Sequence, residues 1–320
     1  MAKLYPWLES TWQHWQRNLA SDSFTNSVLL NTHDGLGAES LVEAFSQALM
    51  CSNDKSQACG FCHGCSLMQS SNHPDVHIIE PEKQGKSITV EQVRQCNKLA
   101  QESSQLSGFR LFVIQPAEAM NESAANALLK TLESPAELCV FLLVTQRKEL
   151  LLPTIISRCQ QWDISAPSSS EASEWVSQKV SQPVPTYIAE LNDNAPLRLE
   201  SFIKQDKLST YSQIEQSMLS LAKGEESFMA LAKVLSDEPN ERLQWLWFLL
   251  CGAQKAHFDI THDSLSPVAS QLVEYMSYDL LYKQSKSLML LITQLRTFPG
   301  LNAELLISDW LIKFNEELCS

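Results

Sequence analysis

The chain has 320 residues, of which 44% are hydrophobic and 19% are charged, values typical of a globular protein long enough for two or three domains. Its net charge of −13 argues against a large DNA-binding face made by this chain alone, because such faces are rich in lysine and arginine. The longest apolar runs, such as 245–251, are too short to span a bilayer, and the first residues contain no apolar stretch typical of a signal peptide. We therefore expect a cytoplasmic protein that makes no membrane contact.

Strand and helix patterns alternate through the first half of the chain. A helical stripe of Leu8, Trp12, Trp15 and Leu19 comes first. The patterns that follow are, in chain order, a strand at 27–31, a helix at 40–50, a strand at 75–80, a helix at 89–101 with a capping box of Thr89 and Gln92, a strand at 110–115, a helix at 121–134 and a strand at 139–145. Because these strands are almost continuously apolar, they predict a parallel sheet covered by helices on both faces.

The composition changes at 165–171, where a polar segment reads "SAPSSSE", and the sequence beyond it shows helical periodicity and no convincing strand. Well-buried helices are predicted there at 241–256, 277–296 and 300–317. The predicted fold class is therefore α/β plus all-α. The predicted domains are an α/β domain at 1–165, a small helical domain at 166–207 and a larger helical domain at 208–320.

The segment "THDGLGAES" (32–40) lies between a predicted strand and a predicted helix, which is where a phosphate-binding loop is found. Gly35 and Gly37 fit such a loop. Ala38, however, stands where the loop's lysine is needed, and Glu39 stands where its Mg²⁺-binding hydroxyl is needed. From the residues alone, the segment is either a nucleotide site that has lost its chemistry or an ordinary turn.

Nine cysteines are present, and in a cytoplasmic protein we do not expect them to form disulfides. Four of them, Cys51, Cys59, Cys62 and Cys65, lie within fifteen residues with the spacing C-x7-C-x2-C-x2-C. This spacing predicts a closed tetrahedral site for one structural Zn²⁺, and His63, between two of the cysteines, is expected to point outward. The alternative is a set of free or redox-active thiols.

Several motifs resemble those of the clamp-loader branch of the AAA+ proteins, namely "NALLKTLESP" (126–135), "FLLVT" (141–145) and "LPTIISRCQ" (152–160), placed after the four-cysteine insertion. The segments "HPDVHIIEPE" (73–82) and "SITVEQVRQ" (87–95) narrow the resemblance to the family of bacterial DNA polymerase III delta-prime subunits. The resemblance implies a RecA-like AAA+ domain with a zinc-binding insertion, a small helical lid domain and a helical collar domain that joins a pentameric ring. The implied partners are the gamma/tau and delta clamp-loader subunits and, through the assembly, the sliding clamp and primer-template DNA.

The resemblance also implies a vestigial ATP site with no hydrolysis of its own. In ATP-hydrolysing relatives, the loop lysine contacts the β- and γ-phosphates, and the strand equivalent to 110–115 ends in acidic residues. Here Ala38 replaces the lysine, the strand is followed by Gln115-Pro116-Ala117, and Glu118 is expected to lie a turn too late. Thr145 matches the family's sensor position, but without a nucleotide we expect it to be only a strand-terminal residue.

Arg158, in "SRC", has two interpretations. The residues alone indicate a solvated surface charge, whereas the resemblance implies an arginine finger that reaches ATP bound by a neighbouring subunit. The leading hypothesis is a non-hydrolysing clamp-loader subunit, a component of the DNA polymerase III holoenzyme that helps load the sliding clamp onto primed DNA. The alternatives are an active AAA+ clamp-loader ATPase of the gamma/tau type and a zinc-dependent nucleic-acid-binding module.

Overall fold

The computed structural model describes residues 4–83, 85–106, 108–258, 265–298 and 300–318. The chain forms two compact units, residues 1–166 and 167–320. The helices on either side of residue 207 belong to the same unit, and the division into lid and collar domains stays a prediction.

The first unit contains a five-stranded sheet. Its strands are β1 (Ser27–Asn31), β2 (Val76–Ile79), β3 (Arg110–Ile114), β4 (Cys139–Thr145) and β5 (Gln160–Asp163). Neighbouring strands are parallel and follow the order β2-β3-β4-β1-β5. All residues of β3 are buried, and β1 and β4 are buried along most of their length, as expected of a sheet with helices on both faces. The four strands predicted from the sequence are confirmed.

Helices surround this sheet. Those described in the first unit are α1 (Glu9–Ala20), α2 (Ala38–Leu49), α3 (His63–Gln69), α4 (Val90–Gln101), α5 (Glu122–Glu133) and α6 (Pro153–Ile156). The predicted capping box at the start of α4 is confirmed, with Thr89 and Gln92 bonding each other's backbone N–H groups. Trp15 of α1 is fully buried and packs edge-to-face against Phe45 of α2 and Trp162 of β5, which holds α1 against this side of the domain.

Three short elements, β5, α3 and α6, are not predicted from the sequence. β5 reads Gln-Gln-Trp-Asp and lies at the edge of the sheet, where three of its four residues are exposed and apolar side chains are not required. α6 has only four residues and α3 only seven, so neither is long enough to show a helical period.

The second unit consists of helices and connecting turns in its described residues. The helices are α7 (Ser169–Val180), α8 (Thr186–Leu191), α9 (Pro196–Lys204), α10 (Lys207–Ala222), α11 (Phe228–Asp237), α12 (Pro239–Ala256), α13 (Pro267–Leu272), α14 (Tyr278–Thr297) and α15 (Ala303–Leu318). Their apolar faces share one continuous core that runs from Ala172 to Phe314. The three helices predicted to be well buried correspond to α12, α14 and α15, each of which has buried residues, and the predicted fold class of α/β plus all-α is confirmed. None of the described helices has the length and apolar character needed to cross a membrane.

Candidate functional site

The degenerate phosphate-binding loop connects the end of β1 to the start of α2. Gly35 and Gly37 have φ angles of 82° and 68°, in the left-handed region that glycine adopts without steric cost. Leu36 between them is fully buried, and its carbonyl oxygen accepts a hydrogen bond from the indole N–H of Trp7 at 2.8 Å. The loop is therefore an ordered turn that the amino-terminal segment holds in place.

The first two residues of α2 decide what this turn can bind. Ala38 is only 4% exposed, and its methyl group offers neither a charge nor a hydrogen-bond donor. Glu39 is exposed in the first turn of α2, where the positive end of the helix dipole stabilises a carboxylate. Because that carboxylate repels phosphate oxygens, the residues at this turn do not fit a bound ATP–Mg²⁺.

The carboxyl ends of β1 and β4 lie side by side next to the loop. Thr145 pairs with Asn31, and the Thr32 N–H donates to the Thr145 carbonyl at 2.9 Å. The Thr145 hydroxyl donates to Oε2 of Glu118 at 2.7 Å, and the Gln146 N–H donates to Oε1 at 3.1 Å. Both carboxylate oxygens of Glu118 thus hold the end of β4, and Thr145 is more than a strand-terminal residue.

Glu118 and Thr145 are a pair that sequence reasoning missed. They are 27 residues apart, and the pairing depends on the adjacency of β3 and β4. The sequence did offer one signal for this pair, because Thr145 matches the family's sensor position. A threonine hydroxyl at a strand end can donate a hydrogen bond to a nearby carboxylate.

The end of β3 carries no acidic pair. Gln115 and Pro116 follow the strand directly, and the Gln115 N–H donates to the carbonyl of Ile79 at 3.0 Å. Within the described ranges, the one grouping of three or more potential metal ligands is the set of four cysteines, which lies elsewhere in the unit. The end of β3 therefore lacks the pair of carboxylates that would organise Mg²⁺ and an attacking water.

Arg158 lies in the turn between α6 and β5. Its Nη1 donates to the carbonyl oxygen of Thr154 at 3.1 Å, and its Nη2 lies 3.7 Å from Oε2 of Glu133. About a third of the side chain is exposed (33%), two neighbouring elements contact it, and its Nε is buried without a hydrogen-bond partner. Glu133 lies within the motif at 126–135, but nothing in its spacing marks it as the neighbour of Arg158.

The four predicted zinc ligands converge. Cys51 follows α2, Cys59 lies in the connecting loop, Cys62 caps the start of α3 and Cys65 lies in the first turn of that helix. Their sulfur atoms all lie within 4.8 Å of one another, and the Cys59–Cys65 and Cys62–Cys51 sulfur pairs are 3.9 Å apart. A tetrahedral site with Zn–S bonds of about 2.3 Å requires sulfur separations of about 3.8 Å. The cluster fits a four-coordinate zinc.

Two thiols of the cluster have pKa shifts in opposite directions. Burial alone would raise the pKa of Cys62, but hydrogen bonds from Ser52 and from the backbone N–H of Cys65 lower this pKa to about 5. Burial raises the pKa of Cys65 to about 12. Four sulfurs directed at one point form a closed donor set with no position left for a substrate, which favours a structural metal over the alternative of free thiols.

Comparison with known families gives a consistent result for both halves of the chain. Residues 7–168 match the family described as DNA polymerase III, delta subunit, and residues 205–316 match the family described as DNA polymerase III, delta subunit, C terminal.

Two individual relatives that match the chain are also DNA polymerase III subunits. The chain is 32% identical to DNA polymerase III subunit delta' of Yersinia pestis, over 98% of this chain and 96% of that protein. It is 40% identical to DNA polymerase III subunit delta' of Haemophilus influenzae, over 65% of each chain. Among solved structures, a gamma subunit-related protein of Thermotoga maritima aligns with 97% of this chain and 99% of its own, at 20% identity and a TM-score of 0.45.

Proposed function

The chain belongs to the family of DNA polymerase III delta-prime subunits, and we propose that it serves as a clamp-loader subunit that does not hydrolyse ATP and instead supplies Arg158 to a neighbouring ATPase subunit. Its partners in this proposal are the gamma/tau and delta subunits of a hetero-pentamer. The sliding clamp and primer-template DNA are reached through that assembly.

The proposal that this chain does not hydrolyse ATP is supported by the residues of the loop and those that follow β3. The loop offers Ala38 in place of a lysine, β3 is followed by Gln115 and Pro116, and the carboxylate of Glu118 is already bonded on both oxygens. A hydrogen bond to a charged group contributes about 1.5–3 kcal/mol. Losing the lysine contact alone therefore lowers phosphate affinity by about tenfold to a hundredfold.

The proposal that Arg158 acts on ATP bound by a neighbouring subunit is supported by the partial exposure of its side chain. A guanidinium stays charged, and its planar donors can bond two phosphate oxygens at once, which suits charge that spreads over a γ-phosphate in the transition state. Arg158 makes one hydrogen bond and one longer ion pair within its unit, and these contacts leave other N–H groups for a ligand.

Zinc has a structural role in this proposal. Cys51, Cys59, Cys62 and Cys65 would hold it, and the metal would fix the path of the chain between α2 and α3. We expect the purified protein to contain about one zinc per chain, and metal analysis of protein prepared without chelators tests this.

Two assays test the functional proposal. Phosphate release by the isolated chain should equal the buffer background, and steady turnover that copurifies with the chain would favour the active gamma/tau-like alternative. In a loader reconstituted with gamma/tau and delta subunits, Arg158→Ala should lower the DNA- and clamp-stimulated ATPase rate. Arginine fingers contribute about 10³–10⁵-fold to kcat in GTPases, and the effect on a ring is smaller because other sites keep working.

The controls separate catalysis from assembly. Arg158→Ala should leave zinc content and elution of the complex on size exclusion unchanged, and Arg158→Lys should also be impaired because a lysine cannot bond two oxygens in one plane. A fully assembled complex that carries Arg158→Ala and keeps the wild-type ATPase and clamp-loading rates would reduce Arg158 to a surface charge.

A further inference from the structure

The carboxyl end of α5 presents an acidic side chain to Arg158. Glu133 is the last residue of α5, and its Oε2 lies 3.7 Å from Nη2 of the arginine. A carboxylate is unfavourable at this end of a helix, because the helix dipole places a partial negative charge there. A guanidinium close by offsets that repulsion, so the position of Glu133 is explained by its neighbour.

The opposite side of the guanidinium is held by a different element. Thr154 lies in α6, and its carbonyl oxygen accepts a hydrogen bond from Nη1 at 3.1 Å. The two terminal nitrogens of Arg158 are thus restrained from two directions, by α6 and by α5. Because a guanidinium carries five N–H groups, one hydrogen bond and one ion pair limit where its terminal nitrogens lie and leave other donors unused.

We propose that Glu133 is a positioning residue for Arg158, which orients the guanidinium before a neighbouring subunit's ATP reaches it. This inference rests on the proposed function of Arg158 in trans. An arginine side chain has several rotatable bonds, and restraining them in advance removes an entropic cost from the transition state. The 3.7 Å separation is longer than a hydrogen bond, so the carboxylate orients the arginine without a bond that phosphate binding would have to break.

The neighbouring acidic residue provides a matched control. Glu137 is exposed and lies four residues after Glu133, beyond the end of α5. Within the ranges that the structure describes, Arg158 has its ion pair with Glu133 and none with Glu137. Changing either glutamate to glutamine removes one exposed negative charge, but only one change affects the contact with Arg158.

The test uses the loader reconstituted with gamma/tau and delta subunits, the sliding clamp and primed DNA. Glu133→Gln should lower kcat for ATP at the site that Arg158 faces by about twofold to fivefold, the range expected for a partly exposed ion pair. KM for ATP should stay unchanged, because the finger acts in the transition state. Glu133→Asp should recover part of the loss, and Glu137→Gln should match the wild type.

A double-mutant cycle decides whether the effect passes through Arg158. Glu133→Gln should have no further effect in the Arg158→Ala background. An equal loss of activity in both backgrounds, or a wild-type rate for Glu133→Gln while Arg158→Ala is impaired, would overturn the positioning role and leave the finger intact. A wild-type rate for Arg158→Ala itself would overturn the proposed function, and the role of Glu133 with it.

Discussion

At the scale of single residues, the packing of the four-cysteine segment (51–65) depends on a glycine. A Cβ at Gly64 would lie 2.2 Å from the carbonyl oxygen of Met50, well inside van der Waals contact. Gly64 lies in α3, between the predicted ligands Cys62 and Cys65, and Met50 immediately precedes the predicted ligand Cys51. The missing side chain therefore allows the two halves of the cysteine cluster to approach each other.

We expect Gly64→Ala to separate these halves and to lower the zinc content of the purified protein. The clash is with backbone, which cannot rotate away, so we also expect a loss of about 1–3 kcal/mol in unfolding free energy, the usual cost of overpacking. Metal analysis and urea denaturation measure the two effects. Gly108→Ala is the control, because a Cβ at Gly108 meets nothing within 4 Å. Full zinc content and wild-type stability in Gly64→Ala would contradict the packing argument.

At the scale of secondary-structure elements, the second unit buries a carboxyl group between two helices. Glu215 of α10 is only 4% exposed, and it accepts a hydrogen bond from the hydroxyl of Ser266, the residue that caps α13. Burial raises the pKa of Glu215 above its ordinary value of 4.5, although the hydrogen bond from Ser266 opposes the shift. The contact ties α10 to α13 at the expense of keeping an acidic group inside the core.

The sign of the resulting pH dependence follows from the raised pKa. The folded state holds the proton of Glu215 more tightly than the unfolded state, so this residue's contribution to stability is greatest below pH 4.5 and is lost as the pH rises through the folded pKa. We expect Glu215→Gln to be at least as stable as the wild type at pH 7. Its advantage should shrink as the pH falls, by at most about 1.4 kcal/mol per pH unit.

Urea denaturation of both proteins at pH 7, 6 and 5 measures this difference, and comparing the two at each pH cancels the titration of the other carboxylates. The exposed Glu226 gives the control variant Glu226→Gln, which should follow the wild type at every pH. A constant difference between Glu215→Gln and the wild type across this range would contradict the raised pKa.

At the scale of the whole molecule, the α/β unit has the elements of a nucleotide-binding domain but lacks several residue types that ATP hydrolysis requires. The parallel sheet, the loop after β1 and the helix that follows are all in place. The missing residues lie at two places, at Ala38 at the start of α2 and at Gln115 and Pro116 after β3. Because the two losses lie on different elements, repair of one does not restore the other.

We therefore expect Ala38→Lys combined with Glu39→Thr to remain without ATPase activity. The restored lysine could recover weak nucleotide binding, but no carboxylate after β3 is available to organise Mg²⁺ and water. Phosphate release by the double variant, with nucleotide binding followed in parallel by calorimetry, measures the two steps separately. Turnover above background in this variant would show that the carboxylates after β3 are dispensable. A quadruple variant that also carries Gln115→Asp and Pro116→Glu tests whether the second loss is the limiting one.

Features that depend on residues close together in the chain could be predicted from the sequence alone. Buried strands appear as continuous apolar runs, a helix start appears as Thr89 followed by Gln92, and four cysteines within fifteen residues must lie near one another whatever the rest of the chain does. The same holds for the degenerate loop at 32–40, whose defect is a matter of residue identity. Such features are predictable because the forces that produce them act within one or two turns of the chain.

Contacts between side chains far apart in the chain could be identified only from the tertiary structure. The bond between Thr145 and Glu118 depends on the order of strands in the sheet, and the contact between Arg158 and Glu133 depends on how α5 packs beside α6. The burial of Glu215 likewise depends on α13, 51 residues further along the chain. The local sequence at each of these residues is compatible with ordinary solvent exposure. Their partners and their chemistry follow from long-range packing, in which the hydrophobic cores bring the elements together and the polar contacts form where the elements then lie.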